Sequence, residues 1–115
     1  GEGERLFVFE APIDLLSYIS LFPEGWQAHN YVACCGTSSI PVLEMLRQLS
    51  QLQQVYLCMD NDAAGHAASE RMGKLLEERG ISAEPLVPQQ KDWNDDLCAM
   101  RRELVPGMTM EAMDR

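Results

Sequence analysis

Four short strand-like runs alternate with segments of helical spacing along this 115-residue chain, and that alternation leaves few folds open. The runs are about Leu6 to Phe9, Tyr31 to Cys34, Val55 to Met59 and Ala83 to Val87. The first three are apolar and rich in β-branched or aromatic residues, as buried strands are. Helical spacing follows at about Ile13 to Leu21, Pro41 to Leu49, Ala63 to Arg79 and Asn94 to Leu104. Strand, helix and strand in succession need crossover connections. The expectation is therefore an α/β fold with about four mostly parallel strands and helices on both faces. Residues 1–104 read as a single domain, and 105–115, with Pro106-Gly107 near its start, as a C-terminal tail or linker stub.

Local signals fit this plan. Pro12 and Pro41 suit first helical turns, Ser39 is placed to N-cap, and Gly80 suits a left-handed helix end. Pro85 and Pro88 confine the fourth strand to an edge or a short ladder. Spacing turns Ile13, Leu16 and Ile19 or Ser20 inward on the first helix. On the second it turns Val42, Met45, Leu46 and Leu49 inward, and on the third Ala64, Ala67, Ala68, Met72, Leu75 and Leu76. Trp26 is expected to cap the core edge.

Acids stand where strands give way to helices. Leu57-Cys58-Met59 leads into Asp60-Asn61-Asp62-Ala63-Ala64-Gly65. In open α/β sheets, ligands bind outside the carboxyl ends of the strands. Asp60 and Asp62 can converge there, and two such anions repel unless a hard cation joins them. Mg²⁺ accepts one or two carboxylates and leaves its other positions to water and phosphate oxygens. The same residues also fit a plain turn, with Asp60 in it and Asp62 as the N-cap. The first run likewise ends on an acid, Glu10, before Ala11-Pro12-Ile13-Asp14 opens a helix. A third polar stretch, Lys91-Asp92-Trp93-Asn94-Asp95, precedes the last helix.

In this order the three stretches resemble a Toprim domain, the α/β catalytic module of bacterial primases, type IA and type II topoisomerases and overcoming-lysogeny-defect nucleases. They look most like its primase-related branch, including the Toprim-like domains of mobile-element proteins. The resemblance covers about residues 5 to 100, and Ala11 stands where glycine is usual. It implies a Toprim, Rossmann-like fold in which strands one and three are neighbours, bringing Glu10 to Asp60 and Asp62. It implies a catalytic set of Glu10, Asp60 and Asp62 that binds Mg²⁺, with Mn²⁺ as substitute. Asp92 would join as an outer metal residue or serve as a helix cap, and Lys91 and Gly65 would meet phosphate. Asp14, one helical turn beyond Glu10, is placed to join the site but reads more simply as an exposed acid beside the helix dipole.

The implied function is Mg²⁺-dependent nucleotidyl or phosphoryl transfer on nucleic acid, as the catalytic domain of a DNA primase-like protein. One metal site serves phosphodiester cleavage equally, so a nuclease is the alternative. A non-catalytic interaction module and a receiver-like phosphoacceptor, with Lys91 as its lysine, are further readings. Topoisomerase chemistry needs an attacking tyrosine, and Tyr18, Tyr31 and Tyr56 read as scaffold.

Charge qualifies the partner. With 18 acidic against 9 basic residues the net charge is −9, the wrong sign for a free-standing nucleic-acid binder. DNA and nucleotides are therefore expected as partners through a longer protein, with poor DNA binding by the isolated domain. The start at Gly-Glu-Gly reads as a domain cut from such a protein. No run nears the roughly 18 apolar residues of a membrane span, and no secretory signal is visible. Cys34, Cys35, Cys58 and Cys98 form no Cys-x-x-Cys pair. They read as small buried hydrophobes in a reducing cytoplasm.

Overall fold

Leu6 and Val8 face one side of a central strand, Phe7 and Phe9 face the other, and all four are buried. This is the period-2 alternation of a strand covered on both faces. The strand is β1 (Arg5–Phe9). In the computed structural model, which describes residues 1–104, it pairs in parallel with β2 (Asn30–Ala33) and with β3 (Gln54–Leu57). A last parallel strand, β4 (Ser82–Pro85), pairs with β3. The sheet order is β2-β1-β3-β4, so strands one and three are neighbours, with Val8 opposite Leu57. The tail expected over 105–115 lies outside the described residues.

The helices are α1 (Pro12–Leu21), α2 (Ile40–Gln48), α3 (Ala63–Glu78) and α4 (Trp93–Leu104). Val42 of α2 and Ala68, Met72 and Leu76 of α3 close a core over Leu6, Val8, Val55 and Leu57. On the opposite face, Leu15, Tyr18 and Leu21 of α1 and Trp93 of α4 pack with Phe7, Phe9 and Cys58. Phe7 stacks between Tyr31 and Tyr56, at centroid distances of 5.4 and 4.9 Å. The connection through α1 runs to one side of β1, and those through α2 and α3 run to the other. They lie on opposite faces, as a single hand of crossover requires.

α3 stops where its sequence says it should. Gly80 takes a left-handed φ of 76°. Its N–H donates to Glu77 O, and the next N–H, of Ile81, donates to Leu76 O, both at 3.0 Å. These two bonds satisfy carbonyls the helix would otherwise leave open.

Several expectations need correction. On α1, Ile13 and Leu16 are 55% and 60% exposed, whereas Asp14 and Ser17 are buried. The helix carries two apolar stripes, and α4 covers the one with Tyr18 and Leu21. The start of α4 supplies the polar partner that makes burial of Asp14 tolerable. On α3 the buried line is Gly65, Ala68, Met72 and Leu76, and Ala64 and Ala67 face solvent. Ser39 makes no side-chain cap; Ser38 Oγ accepts from Ile40 N at 3.2 Å instead. Trp26 opens a short 3-10 turn and is 41% exposed. Cys34 and Cys58 are buried as expected, but Cys35 is exposed.

Candidate active site

Successive crossovers leave β1 and β3 in opposite directions, so a crevice opens between their carboxyl ends. Glu10 follows β1 and Asp60 lies just beyond β3, one on each side of that crevice. The two are joined directly: Asp60 N–H donates to Glu10 Oε1 at 3.2 Å. Asp60 Oδ1 is buried and has no hydrogen-bond partner among the described residues. Asp62 N-caps α3, its Oδ1 accepting from Gly65 N at 2.7 Å. The capping role of Asp62 is thus real, and it uses one oxygen. The Gly65 amide, expected to meet phosphate, is spent on this cap.

Gly65 has a different task. A β-carbon there would overlap the Asp60 carbonyl oxygen and lie 2.9 Å from its carbon and 3.0 Å from the Asp60 nitrogen. The spacing from Asp60 to Gly65 is therefore set by backbone contact across the turn.

The third stretch docks onto the same edge. Trp93, buried at the start of α4, donates from Nε1 to Cys58 O at 3.1 Å. Asn61 N–H donates to Lys91 O at 2.6 Å. Asp92 caps α4 by accepting from Asp95 N at 2.8 Å. Asn94 N–H reaches Asp14 Oδ1 at 3.3 Å, and Ser17 Oγ lies 3.2 Å from Asn94 Oδ1. These links gather Glu10, Asp14, Asp60, Asp62, Lys91 and Asp92 at one end of the sheet. Asp14, for which an exposed position is the simpler expectation, is instead a buried neighbour of the site. The pair Asp14 and Ser17, three apart on α1, was the one trace of a polar inner face.

Crowding of acids raises their proton affinity. Burial pushes Glu10 above the ordinary glutamate range, the Asp60 amide opposes this, and the charges of Asp60, Asp62 and Asp14 add to it. Asp60 is raised by burial and then by Asp62 and Asp92, against a lowering by Lys91. Asp14 is pushed up to about 6, chiefly by burial, with Asp92 and Asp60 adding.

A hard cation would relieve this repulsion, and the unpartnered Asp60 oxygen is the donor that fits it best. The acids are not a preassembled cage. Among the described residues no three Asp, Glu, His or Cys side chains converge closely enough to hold an ion. Glu10 and Asp62 each turn one oxygen onto a backbone amide. Such a site suits an ion held by one or two carboxylates and otherwise by water.

Residues 7–97 match the family described as Toprim-like. The chain belongs to the Toprim-like family. This Toprim-like domain is 31% identical over 96 residues to an uncharacterised Mycoplasma pneumoniae protein, covering 82% of this chain and 43% of that protein. It is 27% identical over 111 residues to an uncharacterised Bacillus anthracis protein, covering 84% of this chain and 32% of the other. Its fold is shared with the primase fragment of the bacteriophage T7 primase-helicase, at a TM-score of 0.65 and 24% identity over 89% of this chain and 42% of that one. A similar match, at a TM-score of 0.63 and 23% identity, comes from the T7 lagging-strand polymerase complex with primase domains, again over 89% of this chain and 52% of that one. The Toprim-like domain spans less than half of the length of the curated relatives it matches. No helix among the described residues is long and apolar enough to cross a membrane.

Proposed function

We propose that this domain is the catalytic part of a primase-like protein and performs Mg²⁺-dependent nucleotidyl transfer on nucleic acid. The observation that carries this reading is the buried Asp60 Oδ1, left without a partner beside Glu10 at the strand switch point. An unsatisfied buried polar group costs about 1–3 kcal/mol, and more when charged. Such an oxygen in a native fold calls for an explanation, and a bound ion is one.

Asp60 and Asp62 would hold Mg²⁺, or Mn²⁺ in its place, with Glu10 and Asp92 contributing through water. When bound, the ion supplies neutralisation of phosphate charge and orients the attacking oxygen. Glu10, with its raised proton affinity, is suited to take up a proton on its carboxylate during that attack. Lys91, exposed and close enough to lower the proton affinity of Asp60, would contact a phosphate. Asp14 and Asn94 hold α4 against α1 and so keep Asp92 at the edge.

The T7 complex that shares this fold holds an RNA/DNA hybrid and dTTP, which favours nucleic acid and nucleotides as partners here. With a net charge of −9, this chain would rely on the rest of a longer protein to grip the strand. Its free thiols suit a reducing cytoplasm.

The test is template-directed incorporation of labelled nucleotides by the longer protein, with Asp60→Asn as the comparison. Loss of synthesis in the variant supports the reading. Synthesis that survives Asp60→Asn removes it, and metal-dependent strand cleavage without synthesis assigns nuclease chemistry instead.

A further inference from the structure

Asn61, the residue between the two aspartates, engages its N–H and both ends of its side-chain amide, and two of these three bonds reach the segment 88–91. Its N–H donates to Lys91 O at 2.6 Å. Its Nδ2 donates to Pro88 O at 3.2 Å. Its Oδ1 lies 2.9 Å from His66 Nε2. Because that oxygen can only accept, His66 presents Nε2–H to it. The segment 88–91 is further closed on α4, since Gln89 N and Gln90 N both donate to Asp96, at 2.9 and 2.7 Å. Trp93 pins the far side through Cys58 O.

We infer that Asn61 is a positioning residue: it straps the Pro88–Lys91 segment to the aspartate turn and thereby sets where the Lys91 ammonium stands relative to Asp60. The amide side chain suits this place because it must donate to Pro88 and accept from His66 at once. Aspartate keeps the shape and the His66 contact but turns an oxygen toward the Pro88 carbonyl. Alanine loses both contacts. Serine or glycine reaches neither partner at these separations. The role of Lys91 in this inference rests on its reading as a phosphate contact; the strap itself does not.

Two measurements on the 115-residue chain separate these parts. The first is amide hydrogen exchange of residue 61, whose N–H meets Lys91 O whatever its side chain. After correction for intrinsic rates, Asn61→Ala should exchange there about tenfold faster or more, with α3 core amides unchanged. Unchanged protection at residue 61 overturns the strap. If Asn61→Ala does not fold, Asn61→Asp makes the same test with the same two outcomes.

The second measurement is affinity for Mg²⁺-ATP, used as a probe of the phosphate site. Lys91→Met should weaken it several-fold. Asn61→Ala should weaken it comparably, and the double variant should be no weaker than Lys91→Met alone. Additive losses would show that Asn61 does not act through Lys91 and would overturn the inference. If Lys91→Met has no effect, the phosphate reading of Lys91 fails, and exchange at residue 61 still decides whether Asn61 holds the segment.

Discussion

The backbone of Asp60 occupies the space into which a β-carbon on residue 65 would project. An acid at the end of β3 and a glycine in the first turn of α3 are therefore one unit: the first stands where it does because the second has no side chain. Glycine inside a helix normally costs about 0.5–1 kcal/mol relative to alanine. Here that preference reverses. Gly65→Ala should destabilise the fold by about 2–3 kcal/mol, the scale of an overpacked core site. Gly73, in the same helix, is the control. A β-carbon there meets Leu57 Cδ1 at 3.9 Å, an ordinary contact. Gly73→Ala should stabilise by about 0.5–1 kcal/mol. Urea unfolding of both variants checks the pair; equal shifts would remove the close approach as the reason for Gly65.

Deleting the Asp60 charge should raise metal-free stability. Each like-charge pair in a partly solvated cleft costs on the order of 1 kcal/mol. Asp60→Asn should accordingly melt about 4–8 °C above wild type in EDTA, for a domain of this size. Millimolar Mg²⁺ should then raise wild type and leave the variant nearly unmoved, because a ligand stabilises only a state that binds it. A variant that melts lower in EDTA and responds to Mg²⁺ as wild type does would make Asp60 a turn residue.

Asp14 gives the clearest pH dependence. Its carboxyl is raised from 3.8 to about 6 in the fold, so the folded state holds this proton more tightly than the unfolded chain. The linked stability is fully present below the unfolded value. It falls as pH rises through the window between about 4 and 6, then levels off. Asp14→Asn keeps an acceptor for the Asn94 amide and removes the titration. It should stabilise by about 1–3 kcal/mol at neutral pH, given roughly 1.4 kcal/mol per pKa unit. The gain should vanish near pH 4. Urea midpoints across pH 4–7.5 test this, and a pH-independent difference would disprove the linkage.

Asp62 has two separable tasks. As a cap it accepts from Gly65 N, and losing a cap of this kind costs about 1 kcal/mol. Asparagine caps as well as aspartate but carries no charge. Asp62→Ala should therefore lower the melting temperature in EDTA, while Asp62→Asn should hold or raise it. Both should lose most of the Mg²⁺ response. An undiminished Mg²⁺ response in Asp62→Asn would leave Asp62 a cap and nothing more.

The strand pattern, both-face coverage and the acids at strand ends were all legible in local residue order, because each depends on neighbours a few positions away. Strand order was not. The adjacency of β1 and β3 came from the family resemblance, since periodicity carries no information about which strands pair. The inner face of α1 was misread for a related reason. Ile13 and Leu16 form as good an apolar stripe as Tyr18 and Leu21, and only the packing of α4 chooses between them. Asp14 was read as an exposed acid because its partner, the amide of Asn94, lies 80 residues away. The role of Asn61 is invisible in local residue order for the same reason, since Pro88 and Lys91 come from another loop.

Pro85 limits growth of the sheet at one border. In a parallel strand the N–H and C=O of one residue point to the same side, and successive residues alternate sides. Ser82 and Leu86 donate inward, to Gln53 O and Leu57 O, so Ala83 and position 85 face away from β3. Position 85 is proline and has no N–H to offer. A strand arriving at that border, from an adjoining domain or from another copy, would meet the amide of Ala83 and then, at Pro85, a carbonyl with no N–H beside it, so its ladder would lack one bond. The proline thus blunts the β4 border against further strand pairing and leaves it better suited to loops and helices.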